Sequence, residues 1–102
     1  MKNVLLALAL CAGFAALPAR ADLALATSKN CMTCHADEKK MVGPAYKDIA
    51  AKYKDDKAAV DKLAVKIVKG GSGVWGAIPM PANPQVNEAD AKKLAAWVLS
   101  AK

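Results

Sequence analysis

The stretch "NCMTCHAD", residues 30–37, places Cys31, Cys34 and His35, the chain's single histidine, within five positions. Two thiols and an imidazole packed so closely suit three chemistries: a zinc site, a redox disulfide or the covalent attachment of a haem. The rest of the chain has to discriminate between them.

The first 21 residues, "MKNVLLALALCAGFAALPARA", carry Lys2, an apolar run from Val4 to Leu17 and the close Ala19-Arg20-Ala21. A basic start, a short apolar run and small residues at the cleavage positions describe a secretory signal peptide, cut after Ala21. The run is shorter than the roughly 20 residues that span a bilayer, so no stable membrane insertion is expected. Cys11 follows Leu10, where a lipid-acceptor cysteine follows a small residue, and is read as an apolar residue of the leader.

Residues 22–102 then form one domain of 81 residues. Chains of about this size rarely build a sufficient core from side chains alone, so a disulfide, metal or cofactor is expected to staple the fold. Setting Lys2 and Arg20 aside leaves thirteen basic residues against nine acidic ones, a net charge of +4. That modest excess, in an exported chain, argues against nucleic acid as a partner.

No segment alternates at period two, and four helical segments are expected. A short one covers 23 to about 31. Pro44 opens a second, with Tyr46, Ile49, Ala50 and Tyr53 on one face. A third follows Asp55-Asp56, carries Val60, Leu63, Ala64, Ile67 and Val68 on one stripe, and stops at Gly70-Gly71. Asn87, with Asp90 three positions on, caps a fourth whose apolar side holds Leu94, Ala95, Trp97, Val98 and Ala101. Trp97 is expected to pack against the first helix. Residues 70–86, "GGSGVWGAIPMPANPQV", are too rich in Gly and Pro for a regular helix. A loop that long in so small a domain is usually functional or disordered, and its apolar content from Val74 to Met80 argues for function.

This context separates the three chemistries. Zinc wants four protein ligands, or three plus water; adjacent Cys34 and His35 are poorly placed for one tetrahedron, and no second cluster supplies a fourth ligand. A redox CxxC wants a strand-to-helix setting that this sequence lacks. CxxCH is the attachment signature of c-type haem: two thiols join the vinyl groups and the histidine reaches the iron. It uses all three residues and supplies the staple.

Function then turns on the second axial position. An open site permits ligand binding or catalysis, as in a peroxidase-like enzyme or a gas sensor, whereas two strong protein ligands suit electron transfer. With no second histidine, methionine is the natural candidate. Met32 sits between the attachment cysteines and Met41 only six residues after His35, whereas Met80 lies 45 residues downstream, in the long loop. Pro79 and Pro81 restrict the backbone on both sides of Met80 and lower the entropy lost when its sulfur is fixed.

Four ordered blocks, "DLALATSKNCMTCH", "KMVGPAYKDIAAKY", "GGSGVWGAIPMPAN" and "DAKKLAAWVLS", together resemble the small class I bacterial cytochromes c of the c-551/c-552 type across essentially all of residues 22–102. The resemblance implies an all-α fold of about four helices wrapped around one covalently bound haem c. It also implies a periplasmic, monomeric electron carrier of the respiratory chain without enzymatic activity. Its partners would be redox proteins such as a cytochrome bc complex, a terminal oxidase, a nitrite reductase or a cytochrome c peroxidase. Residue by residue, it assigns haem attachment to Cys31 and Cys34 and iron ligation to His35 and Met80. It gives the Pro44 carbonyl to the other imidazole nitrogen of His35, the Asn83 amide to the methionine sulfur, and the Trp75 indole to a haem propionate. Lys66 stands where some members carry a propionate-facing arginine, but lysine lacks the bidentate fork. For Asn83 a turn role, and for Trp75 core packing, remain open. The chain departs from the common "MPPN" at Ala82. Lys29, Lys39 and Lys40 flank the attachment segment, either as a docking rim for acidic partners or as ordinary solvated surface.

Overall fold

A computed structural model describes residues 18–102, so nearly all of the expected leader, with Cys11, lies outside the described residues. The first helix, α1, spans Pro18–Ser28 and thus begins and ends earlier than the expected 23–31. Proline at a first helical position costs nothing, because that amide has no intrahelical acceptor. The early stop comes from Asn30, which takes a left-handed conformation at φ 68, one that asparagine tolerates better than most residues. The motif itself is a separate 3-10 turn, Cys31–Thr33.

Helix α2 spans Tyr46–Lys52 and buries Tyr46, Ile49 and Ala50, the spacing that defines one face. Helix α3 spans Ala59–Lys69 and ends at Gly70, whose φ of 72 and ψ of −167 no helix continues through. Ahead of it, the Asp56 carboxylate accepts the Ala58 N–H at 2.8 Å and pairs with Lys62 Nζ at 2.8 Å. Helix α4 spans Glu88–Leu99. The expected cap is present: Asn87 Oδ1 accepts the Asp90 N–H at 2.7 Å, and Asn87 Nδ2 donates to Asp90 Oδ2 at 3.3 Å. Among the described residues no strand forms. The single sheet-like feature is an antiparallel bridge between Gly71 and Met80, which periodicity did not foretell.

Helix α4 is the hub, packing against α1, α2 and, most extensively, α3. Ala26 of α1, Ala64 of α3, Val86 and Ala91, Leu94 and Ala95 of α4 form the buried cluster, with Val60, Leu63, Ile67 and Val68 around it. The α3 stripe read from sequence is therefore its α4 face. Trp97 packs against the same cluster, which includes Ala26 of α1, and its ring also meets Tyr46 of α2 edge-on at 5.1 Å between centroids. Seven of the eleven buried hydrophobic residues described are alanines. Helices with such short side chains at their contacts approach closely, and they leave room for something large beside them.

The Lys62 ammonium hydrogen bond, and then the Ala58 amide, hold the Asp56 carboxyl below the usual carboxylate range. A depressed folded pKa means that the stability from this contact is complete above the ordinary carboxylate pKa and is lost as pH falls through the folded value. Asp56→Asn keeps an acceptor for Ala58 but does not titrate. Its deficit in thermal stability relative to wild type should shrink on acidification; a deficit unchanged from neutral to acid pH would contradict the assignment.

Candidate functional site

The motif turn is closed by two amides on one carbonyl: Cys34 N–H and His35 N–H both donate to Cys31 O, at 3.3 and 3.1 Å. This turn sets Cys31, Cys34 and His35 on the wall of one cavity of about 430 Å³. Both cysteines are half-buried free thiols. Burial pushes the Cys31 thiol upward, partly offset by a backbone hydrogen bond.

The imidazole of His35 is held on three sides. Its Nδ1 lies 2.8 Å from the Pro44 carbonyl oxygen. A carbonyl only accepts, so Nδ1 carries the proton and the Nε2 lone pair is free for a metal. The Tyr46 ring stacks on it, centroids 5.3 Å apart and planes inclined by 21°. Gly43 closes in as well: a Cβ there would stand 2.5 Å from His35 Cε1. The segment is fixed by Gly43 N–H to Cys34 O at 2.8 Å and Tyr46 N–H to Ala36 O at 2.8 Å. Burial, reinforced by charge at Cys31 and Asp37, pushes the Tyr46 phenol far above its ordinary range. It stays protonated and donates to Met32 Sδ at 3.5 Å.

Met32 is thereby occupied with the core, and Met41 is 44% exposed. Among the described methionines, Met80 alone lines the cavity. Its backbone is paired in both directions with Gly71, Gly71 N–H to Met80 O at 3.0 Å and Met80 N–H to Gly71 O at 2.7 Å. Pro44, Lys66 and Trp75 line the same cavity. Trp75 is 42% exposed, which is not a core position, and Lys52 Nζ stands 5.7 Å from its ring centroid. The Lys66 ammonium lies over Gly71.

Asn83 is the sequence-expected residue that the cavity wall leaves out. Its Nδ2 donates to Ile67 O at 2.9 Å and Pro81 O at 3.3 Å. With these two bonds Asn83 fastens the loop to the end of α3. Tyr46 and Gly43 were the residues that sequence reasoning missed. Tyr46 was legible as part of an apolar stripe, but its stacking on His35 has no sequence signature; Gly43 was legible only as the residue before Pro44.

A model of the cytochrome c family matches residues 23–102. The chain belongs to the cytochrome c family. It is 58% identical over 84 residues to cytochrome c-552 of Nitrosomonas europaea, covering 82% of each chain. It is 51% identical to cytochrome c-551 of Stutzerimonas stutzeri over the full length of both. The crystal structure of wild-type Nitrosomonas europaea cytochrome c552 superposes with a TM-score of 0.77 at 57% identity, covering 78% of this chain and 99% of that one. The family is one of haem electron carriers, and one covalently attached haem c with its iron is the cofactor of this chain.

The residues present fit that group. An apolar cavity offers two free thiols, an imidazole whose Nδ1 is engaged by Pro44, and a thioether from the long loop. Gly43 leaves the imidazole the space that any side chain would take. Gly43→Ala therefore drives a methyl group into the His35 ring and should cost about 1–3 kcal/mol, the usual penalty of overpacking, in guanidinium unfolding of the holo-protein. Wild-type stability in that variant would contradict the close approach.

Proposed function

We propose that this cytochrome c is a periplasmic single-electron carrier with no catalysis of its own, its haem attached through Cys31 and Cys34 and its iron ligated by His35 and Met80. The observation that carries this reading is that Met80 is the one described methionine on the wall of the cavity shared by both thiols and the imidazole. When bound, the haem supplies a one-electron iron couple. The protein's part would be to hold the iron through His35 and Met80, against substrates and against rearrangement.

His35 does this through a fixed tautomer. Its Nδ1 proton on the Pro44 carbonyl keeps Nε2 basic and directed, while Tyr46 and Gly43 prevent the ring from turning. The thioether is a soft ligand of low basicity, and Pro79 and Pro81 limit the freedom of its loop. Two strong ligands leave little to reorganise when the electron arrives, which favours transfer over chemistry at iron. Trp75 and Lys66, on the same cavity wall, are suited to facing the haem propionates. Asn83 supports the loop from outside.

Export by residues 1–21 would deliver the chain to the periplasm, where redox proteins such as a cytochrome bc complex, a terminal oxidase, a nitrite reductase or a cytochrome c peroxidase exchange electrons with carriers of this kind. Val42, Val74 and Ile78 line the cavity yet are 55%, 47% and 68% exposed, so an apolar rim surrounds its mouth, with Lys39 and Lys40 nearby in sequence. Such a rim supports short-lived docking as a monomer, with charge steering the encounter. Among the described residues no helix is long and apolar enough to cross a membrane.

Carbon monoxide discriminates a carrier from a haem enzyme or gas sensor. The ferrous wild-type protein should not bind it readily at neutral pH, whereas Met80→Ala should bind it at once and show a lower reduction potential. Ready binding by wild type, or an unchanged potential in Met80→Ala, would overturn the proposal. In the same expression host, the double substitution Cys31→Ala with Cys34→Ala should yield a chain that neither retains haem nor folds stably. A fully stable haem-free protein would show that the cofactor is not the staple.

A further inference from the structure

Gly70 adopts φ 72 and ψ −167, a combination open to essentially glycine alone. Space forbids a side chain there as firmly as the dihedrals do. A Cβ on Gly70 would collide with the Met80 carbonyl oxygen and stand 2.8 Å from the Ala82 nitrogen and 2.9 Å from the Pro81 carbonyl carbon. Residues 80–82 thus lie directly against the C-terminal end of α3, and only a missing side chain permits it.

Hydrogen bonds exploit this approach. Gly71 and Met80 exchange both backbone bonds, at 3.0 and 2.7 Å. Three residues after Met80, the Asn83 N–H donates to Val68 O at 3.0 Å and Asn83 Nδ2 to Ile67 O at 2.9 Å. Those two carbonyls belong to the last turn of α3, where helix carbonyls have no intrahelical donor. The loop caps the helix, and the helix end holds the loop. On the far side Lys29 Nζ and Gln85 Nε2 each reach the other residue's carbonyl, at 3.3 and 3.5 Å, tying the loop's exit to the segment just before Cys31.

We infer that Gly70 is a positioning residue for the Met80 thioether: by lacking a side chain it lets residues 80–83 dock on the end of α3, where four hydrogen bonds fix the point from which the sulfur is presented. The inference rests on the proposed ligation of iron by Met80. It adds that the loop is held by α3 and not by the iron–sulfur bond. The entropy of ordering the loop is then lost on folding, and little remains to be lost when the sulfur binds.

The test compares holo wild type, Gly70→Ala, Met80→Ala and, as a control, Ala91→Gly, which weakens buried α4 without touching the loop. Ferric wild type should show the weak long-wavelength absorption band of thioether-ligated haem, and Met80→Ala should lack it. Imidazole should then displace that band from Gly70→Ala at about tenfold lower concentration or less than from wild type, the strain of a non-glycine residue being relieved when the loop lets go. Ala91→Gly should require the wild-type concentration. Amide exchange in Met80→Ala provides a reading that does not depend on Gly70→Ala accumulating as folded protein. There the N–H groups of Gly71, residue 80 and Asn83 should stay protected within about threefold of wild type, because helix contacts rather than iron keep them closed. Wild-type imidazole affinity in Gly70→Ala, an equal loss in Ala91→Gly, or collapse of amide protection in Met80→Ala would each overturn the inference while leaving ligation by Met80 standing. A wild-type ferric spectrum without the band would overturn the ligation itself.

Discussion

The helices of this chain close around a cavity, and the core their own side chains make beside it is small. Each buried alanine removes little more than one methyl group from water, about 0.8 kcal/mol, whereas ordering the backbone of a residue costs roughly 1–2 kcal/mol. Among the described residues only Tyr46, Ile49, Val86 and Leu94 add larger buried side chains. A flat apolar cofactor such as haem would resolve the imbalance, because the cavity beside the short side chains of α4 and its neighbours could receive a large apolar surface. The same economy explains why covalent attachment matters, since a core that can leave is not a core.

What distinguishes this arrangement from a generic pocket is the precision with which its walls are held. The His35 ring has one hydrogen-bonded edge, one stacked face and a glycine where nothing else fits. The Met80 backbone has a two-way bridge to Gly71 and a docking site on the end of α3. Both are rigid for reasons that lie in the protein, which suits a proposed ligand pair that must change little between oxidation states. The exposed apolar residues at the mouth, Val42, Val74 and Ile78, then make sense as surface left uncovered for brief contact.

Periodicity made α3 and α4 legible, because each has a clear stripe and a chemical punctuation mark: Gly70 ends one, and the Asn87–Asp90 pair begins the other. The span of α1 was misjudged because its stop depends on Asn30 entering the left-handed region, a choice made by the turn that follows. The CxxCH cluster and the isolated Met80 could be read because their residue types are scarce in this chain and their chemistry is specific. The supports around them could not. Stacking of Tyr46 on His35, the bridge from Gly71 to Met80 and the bond from Asn83 to Ile67 are contacts between different segments that no local pattern announces, visible only once the chain is folded.

The proposed electron carrier depends on a methionine sulfur, delivered by a loop 45 residues beyond His35, that binds the iron. X-ray absorption at the iron edge of the ferric holo-protein tests it most directly. One sulfur scatterer beside nitrogen ligands, lost in Met80→Ala, is expected. A wild-type coordination shell of nitrogen and oxygen alone would contradict it.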